Sequence, residues 1–261
     1  METQLKDKVA LITGGTQGIG RAIAVAVAKS GAAGIALVGR NPDRGADAAR
    51  EISSLGVPAH FIPAELGGAE APSDVLKAAF ARFERIDLLV NAAADTNRGT
   101  VAAASPDFFD RLYAVNVRTP LFLMQGVINH LAKRRAPGSI VNILSMNAHG
   151  GTPDLAIYAS TKAALALLTK NAAFSHRFDR IRINGINVGW ADTPAERQMQ
   201  AVTLGLGEDW LARANAAQPS GSLLLPEDVA RLALFLLSDA SAPMTGSLID
   251  QEQGFVIGVR E

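Results

Sequence analysis

The chain reads as an α/β protein. One domain, 1–261, is expected, built on a doubly wound parallel sheet of about seven strands with helices on both faces and a small lid. Three observations carry that expectation. A glycine-rich turn joins an apolar strand to an apolar helix near the N-terminus. Strand and helix patterns then alternate along the chain, as in a parallel sheet with crossover helices. The 261 residues, 48% of them hydrophobic, suffice for one large core.

Lys8-Val-Ala-Leu-Ile-Thr13 is a short apolar run with β-branched residues, and reads as a buried parallel strand. Gly14-Gly-Thr-Gln-Gly18-Ile-Gly20 follows. Arg21-Ala-Ile-Ala-Val-Ala-Val-Ala-Lys29 then gives a helix ended by Ser30 and Gly31. Strand, glycine turn and helix are the context a dinucleotide-binding turn requires, although the spacing is G-x-x-x-G-x-G rather than G-x-G-x-x-G. Glycines let the backbone approach a pyrophosphate, and a helix N-terminus offers free N–H groups. The next strand, Gly34 to Gly39, ends in Arg40 and Asn41. A carboxylate at that tip would accept from a ribose 2′-hydroxyl and select NAD, whereas an arginine would neutralise a 2′-phosphate. Gly39 supplies no carboxylate, so NADP is favoured over NAD. The other reading has Arg40 stacking on adenine or pairing with Asp43 or Glu51.

The patterns place further strands near 58–62, 87–90, 139–145, 181–187 and 247–250. Helices are expected near 42–55, 70–84, 106–134 (broken somewhere within), 158–178 and 226–238. Pro226 suits a first helical turn, and Glu227 and Asp228 complement its dipole. Lys133-Arg134-Arg135 reads as a solvated helix end. The least regular stretch, about 190–225, is expected to form the lid, with one small helix from Glu196 to Ala214.

The chemistry is concentrated in three residues. Tyr158 and Lys162 stand four apart, so on a helix they share a face. A neighbouring ammonium favours the phenolate and is expected to pull the tyrosine below its usual ~10. Ser145 closes the apolar run Ser139-Ile-Val-Asn-Ile-Leu-Ser145, where open α/β sheets bind ligands.

Taken together and in order, Thr13-Gly-Gly-Thr-Gln-Gly-Ile-Gly20, Asp87-Leu-Leu-Val-Asn91-Ala-Ala-Ala94, Asn116, Ser145, Tyr158-Ala-Ser-Thr-Lys162, Asn187-Val-Gly189 and Met244-Thr-Gly246 resemble the classical short-chain dehydrogenase/reductase family. The resemblance implies a Rossmann-like fold and a catalytic set of Asn116, Ser145, Tyr158 and Lys162. Tyr158 would be the acid/base, Lys162 would lower its pKa and hold the nicotinamide ribose, and Ser145 would orient the substrate oxygen. Asn116 would hold a water that relays the proton. Cofactor contacts would come from Gly14, Thr16, Gln17, Gly18, Ile19, Gly20, Arg40, Asn41, Glu65, Leu66, Asn91, Ala92, Ala93, Tyr158, Lys162, Gly189 and Thr193. It also implies a homotetramer, assembled through the alanine-rich helix around Tyr158. The chain departs from the family pattern at Ala92 and Ala94, at Val188, at Glu65 and at Gln251-Glu252.

Substrate residues are expected among Asn147, His149 and Trp190, with Thr96, Asn97 and Glu196 beside them. Their polarity suits a sugar or polyol interconverted between secondary alcohol and ketone. A 3-oxoacyl-(acyl-carrier-protein) reductase is the alternative, and a non-catalytic nucleotide sensor a remote one. With 25 basic and 25 acidic residues the net charge is zero, which gives no footprint for nucleic acid or an anionic membrane. The chain has no cysteine, and its four histidines lack metal-ligand spacing, so no metal is expected. The first residues lack a signal peptide's apolar core, and no run approaches the ~18 apolar residues of a membrane span. A cytoplasmic protein with a small-molecule substrate is the resulting expectation.

Overall fold

The structure is a computed structural model that describes residues 3–254 and 256–257. Seven parallel strands form one sheet in the order β3-β2-β1-β4-β5-β6-β7. They are β1 (Val9–Thr13), β2 (Gly34–Gly39), β3 (Ala59–Pro63), β4 (Leu88–Asn91), β5 (Gly138–Ile143), β6 (Ile181–Val188) and β7 (Leu248–Gln251). Between them run α1 (Gly18–Lys29), α2 (Pro42–Ser54), α3 (Ala71–Phe83), α4 (Pro106–Tyr113), α5 (Thr119–Arg134) and α6 (Ala156–Ser175). The chain continues through α7 (Pro194–Arg197), α8 (Trp210–Ala216) and α9 (Pro226–Leu237). Every residue of β1 and β4 is buried, as expected of central strands covered on both faces.

Two apolar layers sandwich the sheet. On one face, Ile23 and Val27 of α1, Ile52 of α2 and Val229 and Leu236 of α9 pack against Ala10, Ile12 and Ile35. On the other, Val75 of α3, Leu123 and Val127 of α5 and Leu165 of α6 meet Leu11, Leu89 and Ile140. The chain winds outward from β1 to β3, then crosses back to place β4 on the other side of β1. At that reversal the connections from β1 and β4 leave in opposite directions and open a crevice at the strands' carboxyl ends.

The opposite end of the sheet is clamped by Asp87. Its carboxylate is buried, accepts from the Val9 N–H at 2.9 Å and from Arg85, and lies 3.4 Å from Arg134 Nη1. The hydrogen bond to Asp87 pushes the Arg85 guanidinium above its ordinary value. Arg134 is therefore not simply a solvated helix end, because it reaches back across the sheet to a buried anion.

Elsewhere the elements depart from the sequence pattern for local reasons. The long helix over 106–134 is interrupted by a π-helical turn, Ala114–Arg118. Pro120 has no N–H to give the carbonyl of Asn116 four residues earlier, so the α-helical ladder cannot close there. The strand over 139–145 stops at Ile143, and Ser145 instead caps a 3₁₀ turn, Met146–His149. The lid carries two helices rather than one. α7 runs into a π-helical turn, Gln198–Thr203, and Gly205 and Gly207 turn the chain at φ of 69° and 72° before α8. Among the described residues no helix is long and apolar enough to cross a membrane.

Candidate active site

The crevice over β1 and β4 is a cleft of about 1250 Å³. Its floor is the glycine turn. Gly14 takes φ 67°, and a Cβ there would lie 2.8 Å from the Ala93 nitrogen. A Cβ on Gly20 would collide with the Gly14 carbonyl. Thr13 ties the two central strands together, its Oγ1 accepting from the Ala92 and Ala93 N–H groups at 3.2 Å. Side chains cap α2, α4 and α7, through Asn41, Ser105 and Thr193. No side chain caps α1, which begins after Gln17 and whose first residues, Gly18 to Gly20, line the cleft. Uncapped N–H groups at a helix start, with a turn that admits close approach, form a site for a phosphate or pyrophosphate.

The tip of β2 brings Arg40 and Asn41 to the cleft, and with them Arg44, which the sequence reading missed. Arg40 pairs with neither Asp43 nor Glu51. Its Nη1 lies 3.6 Å from Glu65 at the end of β3, both side chains largely exposed, while Arg21 takes Glu51 at 2.7 Å. Arg44 donates to Gln17 Oε1 at 2.6 Å. The signal for Arg44 was its place in the first turn of α2, three residues after Asn41, where it turns back toward the glycine loop. Glu65, Leu66, Ala92 and Ala93 also border the cleft, as do Thr16, Gly189 and Thr193. Asn91 does not. It is buried, donates to Asn142 Oδ1 at 2.8 Å, and Asn142 in turn donates to Thr169. Asn91 thus links β4 through β5 to α6 through its Nδ2, while its buried Oδ1 has no partner among the described residues.

Ser145, Tyr158 and Lys162 converge at the carboxyl end of β5. Lys162 is buried and its Nζ donates to the Ile143 carbonyl at 2.7 Å, which fixes it under the strand end. Burial lowers the ammonium to about 8. Tyr158 is half-buried on the cleft wall. Burial pushes its hydroxyl up to about 12; a hydrogen bond with Ser145 pulls the other way, and the charge of Glu196 adds to the rise. The direction is opposite to the expected downward pull: burial is the largest cause for both groups and drives both toward their neutral forms.

Asn116 is also buried and does not line the cleft. Its side chain is fully engaged: Oδ1 accepts from the Asp95 N–H at 2.8 Å, and Nδ2 donates to the Asp95 carbonyl and to Thr161 Oγ1. The amide thus holds the Asp95 segment against α6. Pro120, four residues on, offers no N–H to the backbone carbonyl of Asn116.

At the substrate end, Asn147, Trp190, Thr96, Asn97 and Glu196 line the cleft. His149 does not. Its Nε2 faces Asp250 Oδ1 at 2.9 Å and lies 3.1 Å from Asn187 Nδ2, which turns the ring away from the cleft toward β6 and β7. Trp190 donates from Nε1 to Glu196 at 2.8 Å and sits 6.2 Å from Trp210, which is buried in the lid's own small apolar cluster.

This arrangement has recognisable counterparts. A family model described as enoyl-(acyl carrier protein) reductase matches residues 14–256. A short-chain dehydrogenase/reductase of a Cladobotryum species is 32% identical over 254 residues, 97% of each chain. A probable galactose dehydrogenase of Rhizobium meliloti is 34% identical over 92% of each chain. The crystal structure of an L-sorbose reductase of Gluconobacter frateurii, complexed with NADPH and L-sorbose, superposes with a TM-score of 0.91. That match covers 99% of this chain and 100% of that one at 29% identity.

Proposed function

The chain belongs to the classical short-chain dehydrogenase/reductase family, and from that premise we propose how its own residues do the work. It is an NAD(P)-dependent oxidoreductase acting on CH–OH groups. The non-catalytic sensor is set aside. The nicotinamide dinucleotide supplies or takes up the hydride. Its pyrophosphate fits the uncapped start of α1 at Gly14, Gln17, Gly18, Ile19 and Gly20. Glu65, Leu66, Ala92 and Ala93 lie toward its adenosine, with Gly189 and Thr193 toward the nicotinamide. Arg40 and Arg44 beside Asn41 favour NADP, because two guanidinium groups at one strand tip suit a 2′-phosphate.

Ser145 and Tyr158 hold the substrate oxygen. In reduction Tyr158 gives its proton to that oxygen; in oxidation it takes the proton back. Lys162 is fixed to the Ile143 carbonyl and exchanges with the phenol the proton that Tyr158 gives or takes. The carbonyl of Asn116, which receives no N–H from Pro120, holds a water that connects Lys162 to solvent. The single observation behind this reading is the convergence of Ser145, Tyr158 and Lys162 at one strand end inside the cleft.

The substrate is a sugar or polyol. Thr96, Asn97, Asn147, Trp190 and Glu196 offer donors and acceptors around Tyr158, which suits a polyhydroxylated molecule. The deciding experiment is steady-state turnover of sugars, polyols and 3-oxoacyl thioesters, each with NAD(H) and NADP(H). Best turnover of a polyol or sugar supports the reading. Turnover of thioesters alone overturns it and makes the lid an acyl channel.

The assembly is a homotetramer. Leu121 and Phe122 of α5, Leu167 and Phe174 of α6, and Phe178 just beyond it are all exposed, on two helices that cover the same face of the sheet.

A further inference from the structure

Glu196 reaches the cleft wall from α7, and its two oxygens are treated differently. Oε1 accepts from Trp190 Nε1 at 2.8 Å and from Gln200 Nε2 at 2.6 Å. Oε2 has no donor among the described residues. Glu252, just past β7, repeats the pattern. Its Oε1 accepts from the Gln253 and Gly254 N–H groups at 2.6 and 2.7 Å. Its Oε2 lies against Gly189 and likewise has no donor among the described residues. Both carboxylates border the cleft that holds Tyr158. They flank the segment Gly189–Trp190, one from the lid and one from the strand exit.

Of the other charged side chains bordering the cleft at this end, Arg111 pairs with Asp95 at 3.1 Å and Arg98 pairs with Asp154, Arg118 donates to the Gly67 carbonyl and Lys162 to the Ile143 carbonyl, and Asp110 adds a further negative charge. Among the described residues, neither Glu196 nor Glu252 has a cation within ion-pair distance. The uncompensated side-chain charge on this wall is therefore negative. The charge on Glu196 is also felt at Tyr158, whose hydroxyl it helps to raise, so it acts where the substrate oxygen must sit.

We propose that Glu196, reinforced by Glu252, selects neutral hydroxylated substrates and excludes anionic ones such as sugar acids. This rests on the reading of the cleft as a sugar or polyol site. An oxygen already oriented by its partner atom, with no protein donor of its own, is an acceptor placed for a substrate hydroxyl. A carboxylate on the substrate would add like charge in a partly desolvated cleft, with no free cation on this wall to offset it.

The test compares kcat/KM for a neutral ketose and for a keto sugar acid, with NADPH, in the wild type and in Glu196→Gln. The wild type should favour the neutral ketose. Glu196→Gln should raise kcat/KM for the acid relative to the ketose on the order of tenfold, mainly through KM. A loosened lid alone would lower both substrates together and leave their ratio unchanged. An unchanged ratio, or a wild type that prefers the acid, overturns the inference while leaving the sugar reading intact. A wild type that turns over neither sugar but does reduce a 3-oxoacyl thioester overturns both. If Glu196→Gln does not fold, judged by its thermal transition, Glu252→Gln carries the same comparison in the same direction.

Discussion

Tyr158 and Lys162 sit on one helix face, yet each is shifted toward neutrality, Tyr158 to about 12 and Lys162 to about 8. The consequence is a direction-dependent pH response. Oxidation of an alcohol needs a proton acceptor. Lys162 carries its proton below pH 8 and is neutral above, so kcat/KM for oxidation should rise as pH increases through about 8. Reduction needs Tyr158 protonated, and with that hydroxyl near 12 it should show no alkaline loss attributable to Tyr158 below pH 10. Initial rates in both directions from pH 6 to 10 check this; an oxidation profile that falls across pH 8 would falsify it. Replacing Tyr158 by Phe removes the proton donor and little volume. Turnover should drop by about 10²–10⁴-fold, while NADPH still quenches protein fluorescence with nearly unchanged affinity. Activity retained within threefold would remove Tyr158 from the mechanism.

Elements, more than single residues, decide where the chemistry is presented. Pro120 shows how. Substituting Ala restores an N–H opposite the Asn116 carbonyl and lets the helix close through Ala114–Arg118. Turnover should then fall about tenfold or more with no loss in thermal midpoint, since a helical bond is gained. Unchanged kcat in Pro120→Ala would mean that the carbonyl is not used. His149 makes a complementary case. It ends the 3₁₀ turn that Ser145 begins, and Asp250 and Asn187 anchor it. His149→Ala should loosen that turn and cost kcat several-fold, leaving cofactor affinity alone; equal kcat would sink the idea. These two elements also mark the limit of what the sequence disclosed. The glycine turn, the strand alternation and the Tyr158–Lys162 spacing are local patterns, legible in a short window. The direction of His149 depends on a partner 101 residues away. Asn91 is tied to Asn142 and Arg134 reaches the buried Asp87, 51 and 47 residues away. Each is a contact between distant segments, which periodicity cannot register.

At the scale of the molecule, α6 joins the site to the surface. Its first half carries Tyr158 and Lys162. Its second half exposes Leu167 and Phe174, and the neighbouring α5 exposes Leu121 and Phe122. Exposed large apolar side chains on neighbouring helices are better explained by a covering copy than by solvent. Each such side chain buried at an interface contributes about 1.5–3 kcal/mol before the costs of association. Two charges placed there should therefore be decisive. In the double variant Leu167→Glu and Phe174→Glu, light scattering after gel filtration should show the tetramer replaced by dimers or monomers. The thermal midpoint should fall, because α6 loses the copy that braces it. NADPH binding should survive, since α1, which starts at the glycine turn, packs on the opposite face of the sheet from α5 and α6. kcat should drop, since Tyr158 and Lys162 ride on the helix that has been released. A wild type already monomeric at micromolar concentration would refute the assembly. A dissociated variant with full kcat would show that α6 is held in place by its own sheet, through Leu165 and Thr169, without help from a neighbour.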